Sequence, residues 1–212
     1  MNKKSLTLSA TALAAALALA GCGSSGTGAA SPSSSTSAPA NSMGGMDHGS
    51  MSASSAAPQG SAAHNSADAM FAQMMLPHHE QAVTMSDIML AKEGLDPRIT
   101  KLATQIKAAQ SPEITKMTDW LTAWGEPTKM SGDMSMDGMV GAEGLDKLKA
   151  AQGTDASKLF LTQMIGHHEG AVKMAQTETA NGSNPDAVAL AKSIITSQEK
   201  EIQEMKDLLA TL

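Results

Sequence analysis

Cysteine occurs once in this chain of 212 residues, at position 22. No disulfide can close within one chain, and no thiolate cluster of the zinc-finger kind can form. Tyrosine is absent, and there are only two phenylalanines and two tryptophans. Flat side chains on which nucleobases stack are therefore scarce. Lys and Arg number 15 against 21 Asp and Glu, for a formal net charge of -6. No basic stripe exists to track a phosphate backbone, so nucleic acid is excluded as the expected partner. The apolar stretch from Leu6 to Ala20 is too short and too alanine-rich for a comfortable membrane span. No segment shows the sustained alternation of a β-strand.

What is present begins with export. Residues 1–21 carry Lys3 and Lys4, then the apolar stretch, then small residues, the pattern of a secretory signal peptide. The junction Leu19, Ala20, Gly21, Cys22 resembles a bacterial lipobox, in which the cysteine becomes the lipid-bearing first residue. Residues 22–65 then form a Ser/Ala/Gly/Pro tether with little to bury. One island interrupts it: Met43, Met46, His48 and Met51. A second island, Met130, Met134, Met136 and Met139, lies further along. Glycine and aspartate break up both, so neither reads as helix core. They read as low-affinity metal collectors or as plain linker.

The remaining chain, 66–212, contains a duplication, with halves at about 66–125 and 154–212. The pattern Phe-x3-Met-x2-His-His-Glu-x-Ala-Val-x-Met begins at Phe71 and returns at Phe160. It holds four of the six histidines and both phenylalanines. A second arm follows each copy. One runs from Asp96 and Pro97 through Ile106, Gln110, Glu113 and Met117; the other from Asn184 and Pro185 through Ile194, Gln198, Glu201 and Met205. Asp96 and Asn184 are favourable N-caps followed by proline at the first helical position. Asp68 and Asp155 are the expected caps of the first arms. Apolar residues recur at about 100° per residue, and short loops at 93–95 and 181–183 join the arms. The expected fold is all-α: two antiparallel helical hairpins packed as a four-helix bundle. Residues 145–152 should add a turn or two of helix between them. Proline inside a helix costs ~3 kcal/mol, so Pro112 should bend or break its helix. Pro77 and Gly166 weaken the two first arms at matched places.

On a helical wheel Phe71, Met75, His78, Ala82 and Met85 share one face, with His79 at its edge. Phe160, Met164, His167, Ala171 and Met174 repeat this, with His168. A core face thus presents thioethers and imidazoles beside small alanines. Thioether sulfur is a soft donor that favours Cu(I), and imidazole suits copper. With no thiolate to hand, the expected ion is Cu(I) rather than zinc. A methionine stripe at helical spacing is also what an ordinary soft core uses. The case for metal is the combination: 17 methionines in the chain, several at matched places around both histidine pairs. Gln110, Glu113, Gln198 and Glu201 fall on or beside the facing stripes. Each carboxylate could orient a histidine through its second ring nitrogen or reach solvent instead.

These residues resemble the bacterial family called domain of unknown function 305. Its hallmark is Met-x2-His-His-x2-Ala-x2-Met on a helix, followed by a helix ending near Trp-Leu-x2-Trp-Gly, here Trp120 to Gly125. The second half ends at Leu208, Leu209 and Leu212 without the tryptophans. The resemblance implies a ferritin-like bundle, export, and binding of several Cu(I) ions. It also implies the ligands Met75, His78, His79, Met85, Met164, His167, His168 and Met174, with Met117 and Met205 from the partner helices. The expected function is a lipid-anchored, extracytoplasmic copper-binding protein that stores, buffers or delivers Cu(I), with an exported copper-handling protein as a possible client. The alternatives are a ferritin-like metal oxidase and a non-metal scaffold or methionine oxidant sink. A di-iron oxidase would want paired Glu-x-x-His, and no such tetrapeptide occurs.

Overall fold

The computed structural model describes residues 63–130 and 136–212. The signal peptide, Cys22, the Met43–Met51 island and Met134 lie outside the described residues. Five helices follow in order: α1 (Ser66–Leu90), α2 (Pro97–Trp124), α3 (Ala142–Ala150), α4 (Gly153–Asn181) and α5 (Pro185–Thr211). The described residues contain no strand. Helices α1 and α2 form one hairpin, α4 and α5 the other, and α1 packs on α4 to join them. Asn65 donates to the carbonyl of Asn181 while the rings of His78 and His167 touch, so α1 and α4 run antiparallel. The architecture is the expected bundle of two duplicated hairpins. No described helix is long and apolar enough to cross a membrane.

Capping departs from the sequence expectation in the first arms. Asn65, not Asp68, caps α1, accepting from the amides of Ala67 and Asp68 at 2.8 and 3.1 Å. Asp68 is the reciprocal member of a capping box and accepts from the Asn65 amide at 2.6 Å. Asp155 lies within the first turn of α4, whose cap Gln152 makes no side-chain bond. Asp96 and Asn184 do cap α2 and α5. Pro112 does not break α2, which continues to Trp124. Pro112 and Ala108 are exposed, so the carbonyl left without an amide partner meets water. The extra helix α3 begins three residues earlier than expected, at Ala142.

Asp68 also ties the two hairpins together. It accepts from the amides of Ser183 and Asn184 and from the Ser183 hydroxyl, all at 2.9–3.0 Å. Burial alone would raise its carboxyl; these donors hold it below the usual carboxylate range. Glu178 is buried beside it, and burial first, then Asp68, pushes its carboxyl up to about 8. Glu178 is thus protonated in the folded state at neutral pH and ionised in the unfolded chain. Its contribution to stability is full below the unfolded value and is lost as pH rises toward 8. Glu178→Gln should therefore stabilise the domain at pH 8, with the gain disappearing as pH approaches 4.5. Urea unfolding of both forms across that range checks this.

Residues 136–140 lie across the middle of α4. A Cβ on Gly138 would strike the carbonyls of Gly166 and His167, and one on Gly170 would overlap the Asp137 carbonyl. Gln81 holds the segment to α1, donating to the Val140 carbonyl at 2.9 Å and accepting from its amide at 2.7 Å. A Cβ on Gly166 meets nothing. Gly166→Ala should stabilise the domain by about 0.5–1 kcal/mol through helix propensity. Gly170→Ala should instead cost about 1–3 kcal/mol and loosen residues 136–140, since overlap with backbone outweighs propensity. Chemical denaturation together with amide hydrogen exchange at Val140 distinguishes the two.

Candidate metal centre

The two motif copies meet at the bundle centre. The rings of His78 and His167 lie 3.7 Å apart between centroids, tilted by 39°. Both side chains are buried, as are His79 and His168. Burial, reinforced by the neighbouring histidines, depresses His78 to about 3 and His167 to about 2, so both rings are neutral at physiological pH. Each outer histidine has a carboxylate partner on the facing helix of its own hairpin. Nε2 of His79 lies 2.8 Å from Glu113, and Nε2 of His168 lies 2.7 Å from Glu201. A carboxylate only accepts, so Nε2 donates, and Nδ1 of each ring is buried. Glu113 and Glu201 keep about a fifth of their side chains exposed, 20% and 19%. They combine both sequence alternatives, bonding a histidine while touching solvent.

Among the described residues, six buried ring nitrogens lack a well-formed hydrogen bond: both on His78, both on His167, and Nδ1 on His79 and His168, with only the carbonyls of Asp137 and His78 drawing near the rings of His78 and His167. The amide of Gln110 and the oxygen of Gln198 are also buried and unpartnered. Leaving a buried polar atom unsatisfied costs about 1–3 kcal/mol, so six on four adjacent rings call for an explanation. A cation supplies one for at most one nitrogen on each ring, four of the six, because a neutral imidazole keeps one N–H and ligates through the other nitrogen. Among the described residues no group of three or more His, Cys, Asp or Glu side chains is placed to hold an ion. Any further donors to these rings must come from elsewhere, and thioethers are the candidates the core provides.

The methionines are divided in a way the sequence did not reveal. Met75, Met117 and, at its edge, Met174 pack in one apolar cluster with Phe71. Met85, Met164 and Met205 pack in another with Phe160. Each cluster therefore takes the first methionine of one motif copy and the last of the other. Antiparallel packing of α1 on α4 thus sets the first methionine of each motif copy beside the last of the other. Met174 departs further: it is only partly buried, whereas its counterpart Met85 is fully buried. Of the second island, Met130 and Met136 line a surface cavity with Met74 and Pro77 of α1. Met139 is half-buried beside the residues lying over the histidines. Sequence reasoning passed over Gln81, Gly138 and Gly170; the Met-Asp-Gly-Met spacing was the available sign of a constrained turn.

The fold and centre define a class: an internally duplicated helical bundle with paired histidines and thioethers at its heart. The chain belongs to the family DUF305, a domain of unknown function, whose model matches residues 68–209. A Streptomyces coelicolor DUF305 protein classed as secreted is similar at 35% identity and TM-score 0.66, over 68% of this chain and 93% of that one. A Deinococcus radiodurans DUF305 fragment is similar at 29% identity and TM-score 0.64, over 71% of this chain and all of that one. CopM in a Cu(I)-bound form matches at 34% identity and TM-score 0.58, over 68% and 96%. CopM has also been solved with Ag and with Cu(II) bound. No curated protein matches the chain.

The neutral, buried histidines predict a pH dependence of the metal-free domain. Their folded values lie below the unfolded 6.5. The unfolded chain takes up protons first as pH falls, so stability present above 6.5 is lost below it. Glu178 acts in the opposite sense, so the measurement belongs in a Glu178→Gln background. There, stability should fall by roughly 3 kcal/mol between pH 7.5 and 5.5 for the two rings together. A His78→Leu/His167→Leu variant in the same background should show a nearly flat profile by urea unfolding.

Proposed function

We propose that this protein binds Cu(I) at the centre of the bundle and stores, buffers or hands it over outside the cytoplasmic membrane. The observation that carries the reading is the set of four buried imidazoles with orphaned ring nitrogens, flanked by two thioether clusters. Neutral imidazole and thioether together suit a soft monovalent ion, and the donor set is uncharged where it is deepest. The binding of Cu(I) and Ag by CopM, a relative at about a third identity, supports the same reading. Met75, His78, His79, Met117 and Met174, with Met85, Met164, His167, His168 and Met205, are the residues that would hold the metal. Two thioether clusters around one histidine centre provide for more than one ion. Cys22 would carry the lipid anchor, and an exported copper-handling protein would be the recipient. We read the chain as a binding protein rather than an enzyme.

The test is competition against a chromogenic Cu(I) chelator under anaerobic, reducing conditions. The domain should take up more than one equivalent, and copper-edge X-ray absorption should show sulfur and nitrogen together around the metal. His78→Ala/His167→Ala should lose at least one equivalent while keeping its helicity. Sub-stoichiometric uptake, or affinity no better than micromolar, sinks the proposal.

A further inference from the structure

A surface cavity of about 300 Å³ borders α1 beside Pro77, and none of the four buried histidines lines it. Three thioethers from three parts of the chain do: Met74 of α1, Met130 beyond the end of α2, and Met136 at the start of the segment that lies across α4. All three side chains are half-buried, neither sealed in the core nor free in solvent. None of them belongs to either apolar cluster, so packing of the core does not account for them. Polar bonds hold the neighbouring backbone to α1. Gln73 donates to the Pro127 carbonyl at 2.9 Å, three residues before Met130. Gln81 bonds both the carbonyl and the amide of Val140, four residues after Met136. Gln73 and Gln81 stand roughly 12 Å apart along the helix, with Met74 and Pro77 between them. Met136 itself opens a tight turn: its carbonyl accepts from the Met139 amide at 3.2 Å, and Gly138 takes φ +85° between them.

The second motif copy has no sulfur at the matching place. The offset that carries Phe71 to Phe160 puts Gln163 at the position of Met74, Gly166 at that of Pro77 and Glu169 at that of Glu80. Gln163 donates to the Gly144 carbonyl at 3.0 Å and so ties α4 to α3. The second copy thus meets the segment beside it through an amide, and the first through thioethers. A polar side chain of similar length serves the equivalent position, so the fold alone does not require sulfur at Met74. Glu80 and Lys129 also line the cavity; both are exposed, and their charges are opposite. A hard cation wants several carboxylate and carbonyl oxygens, whereas this cavity offers one carboxylate beside a lysine. Its remaining donors are neutral and soft.

We propose that this cavity is a second soft-cation site, in which the thioethers of Met74, Met130 and Met136 hold one Cu(I) or Ag(I) ion at the surface, apart from the buried histidines. The inference rests on the reading of the protein as a soft-metal binder. Thioether sulfur selects soft monovalent ions, and three such donors on one cavity wall need neither thiolate nor imidazole to do so. The site is single because the duplication supplies Met74 in one half and Gln163 in the other. Its sulfur-only donor set distinguishes it from the centre, where imidazole and thioether are mixed.

The test uses the full chain with 13C-methyl methionine, titrated with Ag(I) in chloride-free buffer and followed by NMR, with single Met→Leu variants for assignment. Methyl resonances of Met74, Met130 and Met136 should move together within one equivalent. They should do so as well in the His78→Ala/His167→Ala variant, which removes imidazoles and leaves the cavity intact. Met74→Leu/Met136→Leu keeps the cavity apolar and should lower the bound Ag(I) by one equivalent by native mass spectrometry, with helicity unchanged. Three methyls that titrate in different equivalents, unchanged stoichiometry in the methionine variant, or shifts that grow with protein concentration overturn the proposal. Silent Met75 and Met164 methyls beside a responsive surface trio overturn the reading of the buried centre instead and leave the surface site standing.

Discussion

Everything in this bundle converges on two imidazoles in contact. His78 and His167 come from helices whose motifs are copies of each other, and their buried rings meet at 3.7 Å between centroids. Two charged rings cannot coexist there, so burial holds both neutral. Neutral rings with unused lone pairs are costly to bury, and an apolar pair of the same size would be cheaper to fold. The surrounding features serve that contact. Glu113 and Glu201 fix the outer histidines through Nε2 and leave Nδ1 buried. Gly170 makes room for the Asp137 carbonyl, so residues 136–140 can lie over the centre.

Duplication and antiparallel packing together explain why the centre is shared rather than doubled. Had α1 and α4 run parallel, each motif copy would have kept its own two methionines beside its histidines. Running antiparallel, the helices superpose only their middles, where the histidines lie, and swap their ends. The first methionine of one copy then joins the last methionine of the other. The result is one imidazole centre between two mixed thioether clusters, an arrangement neither hairpin could make alone. Because every cluster draws on both hairpins, separating them would dismantle both clusters and the histidine contact at once.

Much of this was legible in the sequence. The helices, their pairing into hairpins and the caps Asp96 and Asn184 follow from local chemistry and periodicity. So does most of the choice of buried residues: Met75, His78, Met164 and His167 lie on the apolar faces the wheel assigned them, whereas His79 and His168, placed at the edge, are fully buried and Met174, placed on the face, is not. What escaped was set by tertiary geometry. The exchange of motif ends depends on the relative direction of α1 and α4, which no local pattern encodes. Asp68 looked like a helix cap because capping needs only a carboxylate near a helix start. Its second task, receiving the amides of Ser183 and Asn184, depends on residues some 115 positions away. Pro112 looked like a break because the rule counts a lost bond and not whether the freed carbonyl is wet.

The two halves have also diverged where they need not match. At the position of Asp68 the second half has the buried Ser157, and at the position of Glu178 the first half has the buried Met89. One end of the α1–α4 contact is therefore closed by a carboxyl pair and the tether's entry point, the other by apolar packing under α3. A hydrophobic seal is insensitive to pH, whereas the carboxyl pair weakens as Glu178 ionises near 8.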